Sequence, residues 1–291
     1  MTAIIAERTN FLEKALQALT QLPPFSPILS NLMASLAQED VSVAELSDWI
    51  EKDAVIAGQV LRLVNSAAYG RRGNISSVRH AVAILGMLKL RNVVLGMSVS
   101  RMWNQLRTPR GWSTSRFNLH AAATAIATDL IAQHAPVDYG EGAFVAGLLH
   151  DMGKLVIALG LSDEYALIQR LREETGRLER ECEVEVIGFD HAWLSGAVLE
   201  RWALPHPIRD AVAYHHDPGK APAVKADSIK LGRALEIGDQ VVNASGVSIN
   251  PAKTAPPVSP EGSLESIGLG SRSQLILEAF QKEFETLKSF F

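Results

Sequence analysis

Residues 147–154 read GLLHDMGK, and the fold class turns on how that octapeptide is read. Leu148, Asp151, Leu155 and Leu159 recur at helical spacing, so a helix through this stretch turns a carboxylate onto its apolar face. His150 stands next to Asp151, and neighbouring residues on a helix diverge by about 100°. The two side chains therefore reach different parts of one interior site. An inward carboxylate is costly without a partner, so the octapeptide implies a buried counter-charge.

The same pattern recurs outward from this stretch. Upstream, Phe117, His120, Thr124, Ala127 and Ile131 line one helical face. Downstream, His191, Leu194, Val198 and Trp202 share a stripe, as do Ile208, Val212 and His215, with His216 adjacent. A last stripe holds Leu231, Leu235, Asp239 and Val242. One inward His is ordinarily a hydrogen-bonded core residue. Several imidazoles and two carboxylates on successive helices imply pairing with one another or with a cation. Imidazole nitrogen with carboxylate oxygen suits Zn, Fe, Ni or Mn rather than Ca, and the lack of Cys in the set disfavours a thiolate zinc site. The residues so placed are His120, His150, Asp151, His191, His215, His216 and Asp239, candidates for pairing with one another or for holding one or two divalent transition-metal ions.

The first hundred residues are also helical in pattern. Phe11, Leu12, Ala15, Leu16 and Leu19 form one stripe, stopped by Pro23, Pro24 and Pro27. Ser42 followed by Glu45 marks a capped helix start, Gly86 separates two further helices, and no stretch of residues 41–102 alternates long enough to form a strand. Residues 108–115 read as a joint between two helical halves, residues 250–262 (NPAKTAPPVSPEG) as a flexible linker, and residues 271–291 as a terminal amphipathic helix. Trp49, Trp193 and Trp202 are expected in the core, and Trp103 and Trp112, near the joint, on an inter-subdomain or partner surface.

Composition narrows the function. With 28 Lys and Arg against 32 Asp and Glu in 291 residues, the net charge is −4, a poor basis for direct nucleic-acid binding. The single cysteine, Cys182, cannot close an intrachain disulfide. No signal-like or ~20-residue uninterrupted apolar run is evident, so the expectation is a cytoplasmic chain with no membrane partner.

GLLHDMGK resembles the signature of the HD superfamily of metal-dependent phosphohydrolases. Residues 22–70 resemble the opening of HDOD domains, with Leu22-Pro23, Lys52-Asp53, Asn65-Ser66-Ala67 and Tyr69-Gly70 at the family's positions. Residues 75–95 and then FVAGLLHDMGKLV, FDHAWLSGAVLERWALP and AVAYHH continue the match in order. The resemblance implies an all-α HDOD fold over residues 22–216. Residues 22–107 would form an N-terminal helical subdomain packed on an HD-type helical bundle of residues 116–216. Residues 217–291 would be a helical extension completing that bundle. It also implies a regulatory output module of bacterial signal transduction that acts through signalling proteins and has no established catalysis. The active relatives imply the alternative, a metal-dependent phosphohydrolase or phosphodiesterase acting on a nucleotide or cyclic dinucleotide second messenger, with Lys154 contacting substrate phosphate. The chain departs from the cyclic-dinucleotide enzymes at His215-His216-Asp217, where Pro-Gly-Lys follows in place of their Gly-Tyr-Pro loop.

Overall fold

The computed structural model describes residues 2–36, 41–66, 75–222, 228–250 and 258–291. Tyr69, Gly70 and Ala67 of the family motif lie outside them. Among the described residues the chain is helical, with one isolated bridge between Val137 and Ile229 in place of any strand.

The N-terminal helices start where the sequence supplies caps. Helix α1 (Thr2–Ala18) runs up to the proline cluster. Ser26 caps α2 (Pro27–Ser35), with Pro27 in the first turn, where its missing N–H costs nothing. At α3 (Val43–Glu51) the Ser42 hydroxyl accepts from the Glu45 amide and the Glu45 carboxylate accepts from the Ser42 amide, a full capping box. Asp53 caps α4 (Ala54–Val64), and both of its carboxylate oxygens accept from Arg101 of α6 (Met87–Trp103), at 3.2 and 3.0 Å. Between α5 (Val78–Leu85) and α6, Gly86 adopts φ 81°, and the two helices meet at 116°. A side chain there would be strained. Asn65 donates to the Ile75 carbonyl and accepts from the Ile75 amide, both at 2.8 Å, which closes the chain across residues 66–74.

The second half comprises α7 (Thr114–His134), α8 (Ala143–Leu149), α9 (Met152–Gly160), α10 (Ser162–Thr175), α11 (Glu179–Ile187), α12 (His191–Arg201), α13 (His206–Ala213), α14 (Leu231–Ala244), α15 (Pro260–Glu265) and α16 (Ser273–Leu287). Helix α7 is the axis, packed by α8, α14 and α16, while α12 lies between α9 and α13. Helix α1 crosses back onto α9, so the chain's first helix belongs to this second half. One apolar core runs through both halves. By length and composition the run Gly140–Gly160 could cross a membrane, contrary to the expectation that no such run exists, but 89% of its apolar window is buried inside the protein.

Three local expectations are corrected. The helix through GLLHDMGK is interrupted at His150 and Asp151, between α8 and α9. Residues 250–262 are not a uniform linker: Ser259 caps α15 from Pro260 onward, and residues 251–257 lie outside the described ones. Among the tryptophans Trp193 leaves the core expected for it, while Trp103 and Trp112 meet Phe117 at the joint between the halves. Trp103 is fully buried 4.6 Å from the Phe117 ring and the Trp112 ring stands 5.1 Å from it, whereas Trp193 is 39% exposed.

Helix α16 docks near a carboxylate that the fold holds at a cost. Burial pushes Asp129 of α7 up to about 6, against the lowering effects of Gln133, Lys89 and Arg91. The folded-state value lies above the unfolded one of about 3.9. The stability contributed by the protonated form is therefore present below about pH 4 and lost as pH rises through 6. Asp129→Asn is expected to melt at higher temperature than wild type at pH 8 and at the same temperature at pH 4. An equal gain at both values would remove the charge as the cause.

Candidate metal centre

The break between α8 and α9 is where the site begins. The Asp151 backbone turns to φ −98°, ψ 13°, which points its carboxylate into the bundle. Gly153 then allows α12 to approach closely, and its amide donates to the Ser195 hydroxyl at 2.7 Å. That approach sets His191, in the first turn of α12, 3.3 Å from Asp151 Oδ1 through its Nε2. Asp151 Oδ2 faces the other way, 3.5 Å from His120 Nε2 and 3.3 Å from His150 Nε2. Asp239 of α14 places Oδ1 3.1 Å from His120 Nε2 and 3.8 Å from His150 Nε2.

His215 and His216 do not lie on the α13 stripe as expected; they follow the helix's end. His216 Nε2 comes within 2.8 Å of His191 Nε2, and the His215 ring stands 5.1 Å from His150 and 5.7 Å from His191. All seven side chains expected from the sequence therefore meet. They fall into two groups, His120, His150 and Asp151 in one and His191, His215 and His216 in the other, each with ligand atoms within 4.8 Å of one another. Asp239 adjoins the first group, and Asp151 stands between the two.

The outer hydrogen bonds settle which ring nitrogens face the centre. His120 Nδ1 donates to the Val247 carbonyl at 2.9 Å, His150 Nδ1 to the Gly147 carbonyl at 2.8 Å and His215 Nδ1 to the Val212 carbonyl at 2.8 Å. A carbonyl can only accept, so in each ring Nδ1 carries the proton, and a neutral ring turns the Nε2 lone pair inward, as in metal-bound histidines. His191 Nδ1 meets Glu183 Oε2 at 2.7 Å, and the same oxygen accepts the His191 amide at 2.8 Å. Glu183 is the residue sequence reasoning missed. It sits among Glu179, Glu181 and Glu185, which reads as an acidic surface, yet it is 2% exposed. Its signal was the helical spacing to Ile187, which is buried four residues on.

Electrostatics also favour a cation. Burial pushes His191 and His216 well below the usual imidazole range, and His215 down to about 4, so these three are neutral donors of lone pairs. Burial opposes ionisation of Asp151 and Asp239, but His150 and Lys154 outweigh it for the first and His120 for the second. Asp151 ends well below the carboxylate range and Asp239 at about 2. Burial works against charge on His150 too, but Asp151 raises it. Burial and then Glu179 push Glu183 up. Lys154 donates to Asp151 Oδ2 at 2.9 Å, with Glu179 at 3.7 Å. His150 Nε2, His215 Nε2 and Asp151 Oδ1 are buried and make no hydrogen bond. Three orphaned ligand atoms at one point cost several kcal/mol, at roughly 1–3 each, a cost that a bound ion removes. The donor set fits a divalent transition metal.

Residues 22–218 match the model of the HDOD domain. The chain belongs to the HDOD family. Its fold matches that of an HDOD domain protein of unknown function from Geobacter sulfurreducens, 24% identical, with TM-score 0.77 over 97% of both chains. It also matches a Marinobacter aquaeolei VT8 protein described as a candidate signal transduction protein (20% identical, TM-score 0.72, 98% of this chain and 66% of that one). A candidate phosphohydrolase from Shewanella amazonensis SB2B is 22% identical with TM-score 0.71, over 96% of this chain and 98% of that one. At these identities the likeness is one of fold. The HDOD chain is also 22% identical over 230 residues to an uncharacterized protein of Treponema pallidum (strain Nichols), covering 75% of this chain and 42% of that longer relative. The family model ends at residue 218, so Asp239 and Val247 reach the site from beyond it.

Proposed function

We propose that this HDOD protein is a metal-binding regulatory module of bacterial signal transduction that works through protein partners. It would hold one or two divalent ions, of Fe, Mn, Zn or Ni, at His120, His150, Asp151, Asp239, His191, His215 and His216. The observation that carries this reading is enclosure. His120, His150, Asp151, His191 and His215 are each 1–2% exposed. The recess beside them, lined by Lys154, Tyr165, Glu179 and Glu183, leaves no room even for a water molecule, far short of the ~300 Å³ where small-ligand sites begin. A metal there would set structure or report occupancy. Where the cyclic-dinucleotide enzymes carry their Gly-Tyr-Pro loop, Pro218–Lys220 forms a short turn, and Lys220 pairs with Asp217 at 2.7 Å.

One observation favours the second reading, a metal-dependent phosphohydrolase acting on a nucleotide or cyclic dinucleotide. Asp151 presents one oxygen to each donor group, so the same carboxylate would help hold an ion in either. Metal in that position would polarise a phosphoryl oxygen and acidify water. Lys154 would be the phosphate contact, but its ammonium is held by Asp151 and faces Glu179.

The test is elemental analysis of the full chain, then a panel of p-nitrophenyl phosphate, nucleotides and cyclic dinucleotides with Mn, Fe and Zn. The expected result is stoichiometric metal and no turnover. Turnover that disappears in His150→Ala would replace the first reading with the second. A chain that retains no metal in any of the three salts would end both.

A further inference from the structure

We propose that residues 245–250 form a latch over the metal centre, so that latch docking and metal occupancy are a single coupled equilibrium. The proposal rests on the metal-centre reading and adds how the centre is regulated. The latch begins where α14 ends. Gly246 has φ 81°, its amide donates to the Asn243 carbonyl at 3.1 Å, and the Val247 amide donates to the Val242 carbonyl at 3.1 Å. That pair of bonds is a Schellman termination. It turns the chain off α14 just past Asp239, whose Oδ1 accepts from Asn243 Nδ2 at 2.7 Å.

From there the segment touches the centre on two sides. The Val247 carbonyl accepts from His120 Nδ1 at 2.9 Å. Ile249 is 4% exposed within the core. The Asn250 carbonyl accepts from Arg172 of α10 at 2.7 Å, and Asn250 Nδ2 donates to Glu179 Oε1 at 3.0 Å. Gln169 donates to that same oxygen at 2.6 Å, and Glu179 Oε2 lies 3.7 Å from Lys154, which holds Asp151. The latch is thus joined to His120 directly and to Asp151 through Glu179 and Lys154.

The coupling follows from ligand chemistry. A cation on Nε2 polarises the imidazole and strengthens the bond from Nδ1 to the Val247 carbonyl, while that bond raises the basicity of Nε2. Whatever metal does for the latch, the latch must do for metal by the same factor. Sites of partner action on residues 245–250, on Arg172 or on Glu179 would then change metal retention without touching a ligand.

The experiment uses the full chain loaded with zinc. Hydrogen exchange of residues 246–250 is expected to slow at least tenfold on loading, and Asn250→Ala and Arg172→Gln are expected to release zinc to a chelator about 10–100-fold faster at unchanged stoichiometry. Lys52→Ala, in an exposed pair on α3, should release zinc at the wild-type rate. Exchange that does not respond to zinc in the wild-type chain overturns the coupling whether or not the variants fold, as do wild-type release rates in both latch variants. A wild-type chain that binds none of zinc, manganese and iron removes the metal centre itself, a failure distinct from these.

Discussion

Asp151→Asn is expected to strip the protein of metal while leaving it folded. Titration with zinc should give an affinity loss greater than about 100-fold, since even outer partners of a ligand are worth 10–100-fold. Asp151 is the side chain both donor groups share, with Oδ1 toward His191 and Oδ2 toward His120 and His150. Its carboxyl lies well below the usual range, so the anion is present at any pH at which the protein is handled. Asn keeps the shape and one acceptor oxygen but no charge. Lys154 then loses its nearest carboxylate. Deleting one partner of a buried ion pair costs about 3–5 kcal/mol when nothing replaces it; the amide oxygen and Glu179 reduce that cost. Thermal melting provides the second readout. Metal at a thousandfold excess over its dissociation constant stabilises by about 4 kcal/mol, so the wild-type midpoint should rise on adding zinc and the variant's should not. Asp48→Asn, at an exposed pair with Lys52, should keep the full response. A variant that retains the zinc-dependent rise would show that Asp151 is not a ligand.

What could be read from the sequence was whatever a single helix face records. Asp151 and Asp239 on apolar stripes demanded a partner, and five such stripes implied a common interior; the structure does bring them to one point. Ser42 with Glu45 named a helix start in the same way, because a cap is local. What could not be read depended on other elements. The break falls at His150 and Asp151, neither a proline nor a glycine, while Gly147 and Gly153 both stand inside helices, so the residue types of GLLHDMGK do not mark the turn. Glu183 was concealed by its acidic neighbours, because the close approach that buries it is set by α12. The Val247 carbonyl has no side-chain signature at all, although it orients a candidate ligand from 127 positions away. The prolines of residues 250–262 suggested a linker, yet Ser259-Pro260-Glu261 is also a helix start, with a capping hydroxyl, a proline in the first turn and an early acid. Two local rules competed there, and the cap prevailed because Leu264 has a core to enter.

Gly153→Ala is expected to cost more than a typical core substitution and to damage the centre from a position that binds nothing. A Cβ at Gly153 would stand 2.1 Å from the His191 carbonyl oxygen, 2.8 Å from its carbonyl carbon and 2.9 Å from its Cα. All three are backbone atoms, so no side chain can rotate away, and α12 must move as a body. Ordinary van der Waals contact begins near 3.4 Å, which sets the displacement at about an ångström. Overpacking of this kind costs about 1–3 kcal/mol and occasionally more, against less than ~1 kcal/mol gained from the better helix former. The movement also carries His191 away from Asp151 and breaks the bond from the Gly153 amide to Ser195. Zinc affinity should therefore fall together with the melting temperature. Gly58→Ala is the matched control. It lies inside α4 with nothing within 4 Å of the new atom, so it should raise stability by roughly 0.5–1 kcal/mol and leave zinc binding alone. Paired melts and zinc titrations of the two variants decide the matter. If Gly153→Ala binds zinc as tightly as Gly58→Ala, the close passage of α9 and α12 is not what positions His191.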